Sequence, residues 1–321
     1  MINYITDNNS LQIISFLGIL AAFLGTCFLT ASCSKFLPKD QGRDFAVNGK
    51  LSAGKPRGAG FIFILVFIAA FALFGIIRTE YLIYLILVAA AMITGFLDDA
   101  SKSPWGEYKK GLLDLIIAVM LAVTFLNFND STITIELLDQ TFTMHPVVFG
   151  ILTVVLVWTS INVTNCADGV DGLSGTLTII TLMTIYVIDL IKGQGGSFTY
   201  MILLFVVCIL GYLWFNAAPS TLMMGDAGSR AMGLFISIAV LKTGSPFLYL
   251  LVALVLMLDG GLGLVKVSLL RFLKIHILTN TRTPLHDHVR KVWNWSNTHT
   301  VFRFAIIQIV ISIAAVYLVM I

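Results

Sequence analysis

The run GFIFILVFIAAFALFGIIRTEYLIYLILVAAAMITGFLDD, residues 60–99, decides the fold. It reads as two apolar stretches, Gly60–Ile77 and Tyr81–Phe96, joined by a turn with Arg78 and Glu80 and closed by two adjacent aspartates. A helix needs about 20 apolar residues to cross hydrocarbon, within a range near 17–25, so both stretches are predicted to span a bilayer. The pattern recurs at Leu11–Ser32, Gly111–Phe128, Val147–Ile161, Ser174–Ile191, Tyr200–Phe215, Ala231–Leu241, Phe247–Leu270 and Val301–Ile321. Ala231–Leu241 is the weakest, being short and glycine-containing. The expected fold is an all-α polytopic membrane protein with about ten transmembrane helices, in a single domain over residues 1–321.

Composition leaves no other class. The chain is 58% hydrophobic and 12% charged, with a mean hydropathy of +0.94. Soluble globular chains carry roughly 25% charged residues, and half that fraction cannot clothe a body in water. The four cysteines (Cys27, Cys33, Cys166, Cys208) lack CxxC spacing and suggest neither a disulfide frame nor a metal knuckle. The first apolar run has no basic segment ahead of it and is too long for a signal-peptide core. It is expected to remain as a span.

Lys and Arg in short loops orient such a protein. With both termini outside, the cytoplasmic side collects Lys35, Lys39, Arg43, Lys50, Lys55, Arg57, Lys102, Lys109, Lys110, Arg230, Lys266, Arg271, Lys274, Arg282, Arg290, Lys291 and Arg303. The other side keeps only Arg78, Lys192 and Lys242. Asp98, Asp99, Asp168, Asp171, Asp226 and Asp287 fall on the same side as the basic majority. Asp114 and Asp259 are acids placed in span interiors. The outer loop Asn127–Met144 carries acids without a motif and reads as a solvated connection.

Four segments on the acidic side carry chemistry. Asp98 and Asp99 end a span, where the helix dipole disfavours acids and neighbouring carboxylates repel. A magnesium ion or a cation such as Lys102 would relieve both, although a helix end meeting water is the bland alternative. The run Asn162-Val-Thr-Asn-Cys-Ala-Asp-Gly-Val-Asp-Gly-Leu-Ser174 is too rich in Asn, Asp and Gly for a mere connection. Asp168 and Asp171 would share a face on a helical turn. Asp226 and Ser229 stand where helix caps stand, yet a helix start is also an anion site. An acid there suits magnesium held by one or two carboxylates plus substrate phosphates. His286 and His288, with Arg282, Arg290 and Lys291 nearby, suit a pyrophosphate, and share a side only if extended. A fifth segment, Gly54-Lys-Pro-Arg-Gly-Ala-Gly60, is either a phosphate cradle or a flexible basic loop.

In order, GFLDD, NxxNxxDGxDGL, FNxxPxxxxMGDxGS, PLHxH and WSxTxxxxRF resemble the prenyl-phosphate N-acetylhexosamine-1-phosphate transferases, and most closely their muramoyl-pentapeptide branch. The likeness runs from about Gly54 to Phe304. It implies transfer of phospho-MurNAc-pentapeptide from its UDP carrier to undecaprenyl phosphate, giving lipid I and UMP, with Mg²⁺ required. It also implies a bacterial inner-membrane location, a site facing the cytoplasm, a homodimer, and no nucleic-acid partner. Asp98, Asp99 and Asp226 become catalytic carboxylates. Asp226 and Asn165 become metal ligands. Lys102, Asn162, Asp168, Gly169, Val170, Asp171, Asn216, His286 and His288 become substrate-binding residues. The chain departs from the family at Asp287, where a third histidine is usual, and at Met223, where an aromatic is. It also departs at residues 52–60, where Lys55 or Arg57 replaces the usual lysine. Two competing readings are a sister transferase using UDP-GlcNAc and a secondary transporter. A transporter would place its acids near the bilayer midplane.

Overall fold

The computed structural model describes residues 11–42, 52–101, 103, 105–193 and 196–321. Lys102, Arg43 and Lys50 lie outside them. The helices are α1 (Leu11–Cys33), α2 (Gly60–Phe74), α3 (Thr79–Asp99), α4 (Glu107–Phe128), α5 (Pro146–Cys166) and α6 (Leu173–Ile191). They continue with α7 (Ser197–Asn216), α8 (Gly225–Lys242), α9 (Pro246–Val252), α10 (Leu254–Leu273), α11 (Leu285–Val292) and α12 (Asn297–Met320).

Seven of these are long and apolar enough to cross a membrane, and α9 with α10 makes an eighth if the bent pair is one span. Two predicted spans miss that standard for different reasons. Helix α2 has 15 residues, about 22 Å at 1.5 Å per residue. Helix α8 carries Asp226, Arg230 and Lys242, and every residue from Gly225 to Leu241 is buried. A helix wrapped by protein need not be apolar throughout, because neighbouring side chains can serve its charges. That is why hydropathy marked only the second half of α8.

Close backbone approach puts α8 at the centre. A Cβ on Gly60 of α2 would lie 2.0 Å from Gly228 N, and one on Gly95 of α3 would lie 2.4 Å from the Asp226 carbonyl oxygen. Small residues let membrane helices meet this tightly. The second contact brings the acidic end of α3 against the start of α8. Phe63, Phe67, Phe205 and Phe235 fill the space between α2, α7 and α8. Helices α1 and α12 turn Phe16, Phe28, Phe302 and Ile313 outward, as lipid-facing helices do.

The span Phe247–Leu270 is not one straight helix. The chain bends 72° between α9 and α10, and the freed backbone groups are answered from α12 and α6. Gln308 accepts from Val255 N at 2.9 Å and donates to the carbonyls of Leu251 and Val252. Thr181 donates to the Val252 carbonyl as well. Without such partners a break inside hydrocarbon leaves polar groups unmet.

The loop read as a solvated connection is largely exposed and is folded as an antiparallel hairpin, β1 (Thr132–Ile135) with β2 (Gln140–Thr143). Thr and Ile alternate in β1, which buries Ile133, and Asp139 turns the chain at φ 47°. Glu136 pairs with Lys192 and accepts from Ser245. Burial raises the Glu136 pKa, but those hydrogen bonds outweigh it and hold the group below its ordinary value. At the same end Lys242 meets Glu80 and Asn129.

Candidate functional site

At the other end, three loops and two helix ends surround a cavity of about 500 Å³. Its wall takes Asp40, Ser52, Lys55 and Arg57 from the loop before α2, and Asn165 with Asp168 through Asp171 from the α5–α6 turn. Asn216, Ser220, Met223 and Asp226 come from the α7–α8 connection, with Arg290, Asn297 and Thr298 from α11 and α12. A second cavity of about 250 Å³, near the hairpin, is lined by apolar residues, threonines and Tyr249. It offers nothing that could hold a phosphate.

Asp226 is the second residue of α8 and does not cap it. That task falls to Asp99, whose two oxygens accept the amides of Asp226 and Ala227, each at 3.1 Å. The acid misplaced at the C-terminus of α3 is thus well placed at the N-terminus of α8, where the dipole favours it. Gly225, at φ +73°, makes the entry to α8 in a backbone region that side chains disfavour.

Among the described residues two cations pair with these acids; the expected partner Lys102 lies outside those residues. Lys110 of α4 lies 2.5 Å from Asp98 and 3.0 Å from Asp226. Arg57 lies 2.9 Å from Asp99, 3.3 Å from Asp40 and 3.5 Å from Asp226. Burial acts to lower the Arg57 pKa, and Asp99, Asp226 and Asp40 together more than reverse it, so it is raised. Asp98 also accepts from Trp105 N at 2.7 Å. Asp98 and Asp99 therefore sit one layer behind the cavity, and only Asp226 of the three reaches its wall.

One turn deeper lies a second rung. Asp114 of α4 pairs with Arg230 of α8, both 2% exposed. Four residues separate Lys110 from Asp114 and Asp226 from Arg230, so the two helices face each other with signs exchanged. Arg230 was counted above among the basic residues of the cytoplasmic side; the structure buries it. Asn162 also leaves the expected pocket, donating to the Trp158 carbonyl and lying 3.5 Å from Asp114.

The Asn/Asp/Gly run is a turn rather than a helix after Cys166, so Asp168 and Asp171 share the cavity wall but not a helical face. Asp168 accepts from Ser174 at 2.6 Å. Asn216 accepts from Gly172 N and donates to the Leu222 carbonyl, which ties this turn to the α7–α8 loop. Asn165 gives its Nδ2 to Ser229 and keeps a carbonyl oxygen to offer.

His286 and His288 part company. Their segment is helical, so residues two apart point to different sides. His286 is buried against fully buried Asp259, which accepts from its backbone N at 2.7 Å and meets its Nδ1 at 2.8 Å. A Cβ on Gly169 would come 2.2 Å from its Nε2. His288 faces Trp293 instead. Asp287 lies 3.5 Å from Arg290 and 3.9 Å from His286. It neighbours one histidine, not two. Burial lowers the Arg290 pKa, with Asp287 and Asp171 opposing.

Among the described residues no three His, Cys, Asp or Glu side chains form a ready metal cage. The donor chemistry still fits magnesium, which takes one or two carboxylates and completes its shell with water and phosphates. Asp226 and Asp98 already converge on one positive charge, the Lys110 ammonium, and Asn165 shares the Asp226 cavity. Lys110, Asn297 and Thr298 were missing from the expected site, and Lys55 and Arg57 stood only in the segment read as a cradle or a basic loop. Of these five, Thr298 alone is a fixed position of a motif, WSxT.

Residues 81–244 match the sequence profile of Glycosyl transferase family 4. The chain is 39% identical over 315 residues to the phospho-N-acetylmuramoyl-pentapeptide-transferase of Treponema pallidum, covering 92% of this chain and 87% of that one. It is 25% identical to the enzyme so named in Wolbachia pipientis wMel, over 80% of this chain and 82% of the relative. For the Helicobacter hepaticus enzyme the identity is 26%, over 81% and 80%.

Proposed function

We propose how this chain, which belongs to the phospho-N-acetylmuramoyl-pentapeptide-transferases of glycosyl transferase family 4, uses its cavity. It transfers phospho-MurNAc-pentapeptide from UDP to undecaprenyl phosphate, forming lipid I and releasing UMP for peptidoglycan synthesis. One observation carries the site reading. Asp226, at the start of α8, reaches a polar cavity that Lys55, Arg57 and Arg290 line with positive charge.

In this reading the turn at Asp168–Asp171 receives the uridine, and Asn216 holds that turn in shape. Lys55, Arg57 and Arg290 bind the diphosphate. Asp226 and Asn165 hold Mg²⁺, with Asp98 behind them. When bound, the ion supplies charge neutralisation on the transferring phosphate. Lys110 keeps Asp98 and Asp226 from repelling one another, and Asp99 fixes α8 and Arg57. Both Asp99 oxygens are spent on amides, so it is a positioning residue and not a nucleophile. The lipid phosphate, largely ionised near neutral pH, attacks directly. Phosphoryl transfer asks mainly for positioning and charge neutralisation.

Ten crossings with both termini outside complete the proposal, counting α2, α8 and the bent pair. Its support is the gathering of Lys and Arg at the cavity end, which makes that end cytoplasmic in a bacterial inner membrane. The carboxylates cluster at helix ends rather than halfway along, which argues against a transporter. A homodimer is carried over from the family likeness. Incubating membranes with labelled UDP-MurNAc-pentapeptide or UDP-GlcNAc, plus undecaprenyl phosphate, separates this enzyme from its sister class. Only the first is expected to yield labelled lipid.

Two outcomes test the site. UMP release is expected to stop when EDTA strips divalent metal and to return with added Mg²⁺; activity in metal-free buffer would remove the ion from Asp226. Gly169→Ala is expected to lower turnover by about 10²-fold, the scale of an ångström-sized misplacement. The new methyl meets His286, which Asp259 prevents from yielding. Normal turnover in that variant would show that the His286 position does not matter.

A further inference from the structure

Both oxygens of Asp226 are already taken by cations of the chain itself. Oδ2 accepts from Lys110 at 3.0 Å, and Oδ1 lies 3.5 Å from Arg57 Nη2. The two hold unequally. Lys110 is clamped between Asp98 and Asp226 in the wall behind the cavity. Arg57 lines the cavity itself, and its Asp226 contact is the longest of three. Nε stays with Asp99 at 2.9 Å and Nη1 with Asp40 at 3.3 Å. Its backbone is fixed too, since Arg57 N donates to the Pro38 carbonyl and Met223 N to the Pro56 carbonyl, both at 2.8 Å. A guanidinium has five donors in a rigid fork, so a cation can draw Asp226 off Nη2 while Nε and Nη1 keep their carboxylates.

Charge favours such a release. Among the described residues, Asp40, Asp98, Asp99 and Asp226 pair with two cations, Arg57 and Lys110. A divalent cation would balance the excess, and the edge it frees would meet an incoming diphosphate. Arg binds phosphate oxygens with strong charge-assisted hydrogen bonds. We propose that Arg57 holds Asp226 in the substrate-free enzyme, yields it to a divalent cation, and offers the freed Nη2 donors, in place, to a phosphate oxygen of the nucleotide substrate. This rests on the magnesium reading of Asp226.

The proposal requires opposite effects from one substitution. Without Arg57, a divalent cation has no competitor at Asp226 and should bind more tightly, while the nucleotide loses a partner and should bind more weakly. A residue that merely shaped the loop would weaken both. The test uses the full-length chain in detergent, with Mn²⁺ binding read by electron paramagnetic resonance without nucleotide, and UDP-MurNAc-pentapeptide binding read by calorimetry. Arg57→Met is expected to bind Mn²⁺ about tenfold more tightly and the nucleotide about tenfold more weakly, the scale of one charged hydrogen bond. Arg57→Lys should fall between, and stands in if the Met variant does not fold. If Asp226→Asn abolishes Mn²⁺ binding but Arg57 variants bind it no more tightly, the handover is wrong and the magnesium reading stands. Unchanged nucleotide affinity also overturns the handover. Mn²⁺ binding that survives Asp226→Asn overturns both.

Discussion

Asp226→Ala is expected to reduce UMP release by about 10²- to 10³-fold or more, the scale seen when a single charge-stabilising group is lost from an active site. The protein should still insert and fold. Asp226 does not cap α8, because Asp99 does, so no cap is lost. Nor does the change orphan a cation: Lys110 keeps Asp98, and Arg57 keeps Asp99 and Asp40. The loss should therefore fall on kcat, with detergent-solubilised thermal stability close to wild type. Asp226→Asn, which keeps the shape and removes the charge, should be nearly as inactive. A variant that turns over normally would return Asp226 to the role of a buried ion-pair partner and leave the cavity without its metal.

Arg230→Leu is expected to have the largest effect on stability. It strips Asp114 of its guanidinium inside the protein, where breaking a buried pair costs about 3–5 kcal/mol because the remaining charge stays unpaired. Asn162, 3.5 Å away, is too distant to replace it. Asp114→Leu should cost a similar amount for the mirror-image reason. The double variant should recover most of the loss, since an apolar pair can replace a buried ion pair at little cost. Thermal unfolding of the four proteins in detergent measures the coupling. Additive losses would mean that the pair does not act as one unit. Activity should follow, because the Asp114–Arg230 rung sits one turn below Lys110–Asp226 and fixes how α4 faces α8.

Much of the site was legible because its residues announce themselves in short motifs. GFLDD, NxxNxxDGxDGL and MGDxGS each put carboxylates beside glycines at a span end, and the structure brings Asp98, Asp99, Asp168, Asp171 and Asp226 to one end of the bundle. Their partners were not legible. Lys110 sits in a run that reads as an ordinary basic flank, and Arg57 in a loop read as half cradle, half tether. An ion pair between residues 116 apart, as in Lys110–Asp226, leaves no periodic trace. Asn162 misled for the converse reason: it belongs to the motif by spacing, but its position on α5 turns it to Asp114.

The sequence by itself determined the solvent, the helices and the end of the bundle where charge collects. Apolar run length and charge placement answer to hydrocarbon thickness and to the cost of burying ions, and both are local properties of the chain. Only the tertiary structure decided what each charge does. The meeting of α3 with α8 at Gly95 makes Asp99 the cap of a distant helix, and the bend between α9 and α10 is held by Gln308 from α12. Asp259, which looked like an isolated acid in a span, proves to be the anchor of His286. A buried charge takes its role from the groups that approach it, and those approaches exist only after the helices pack.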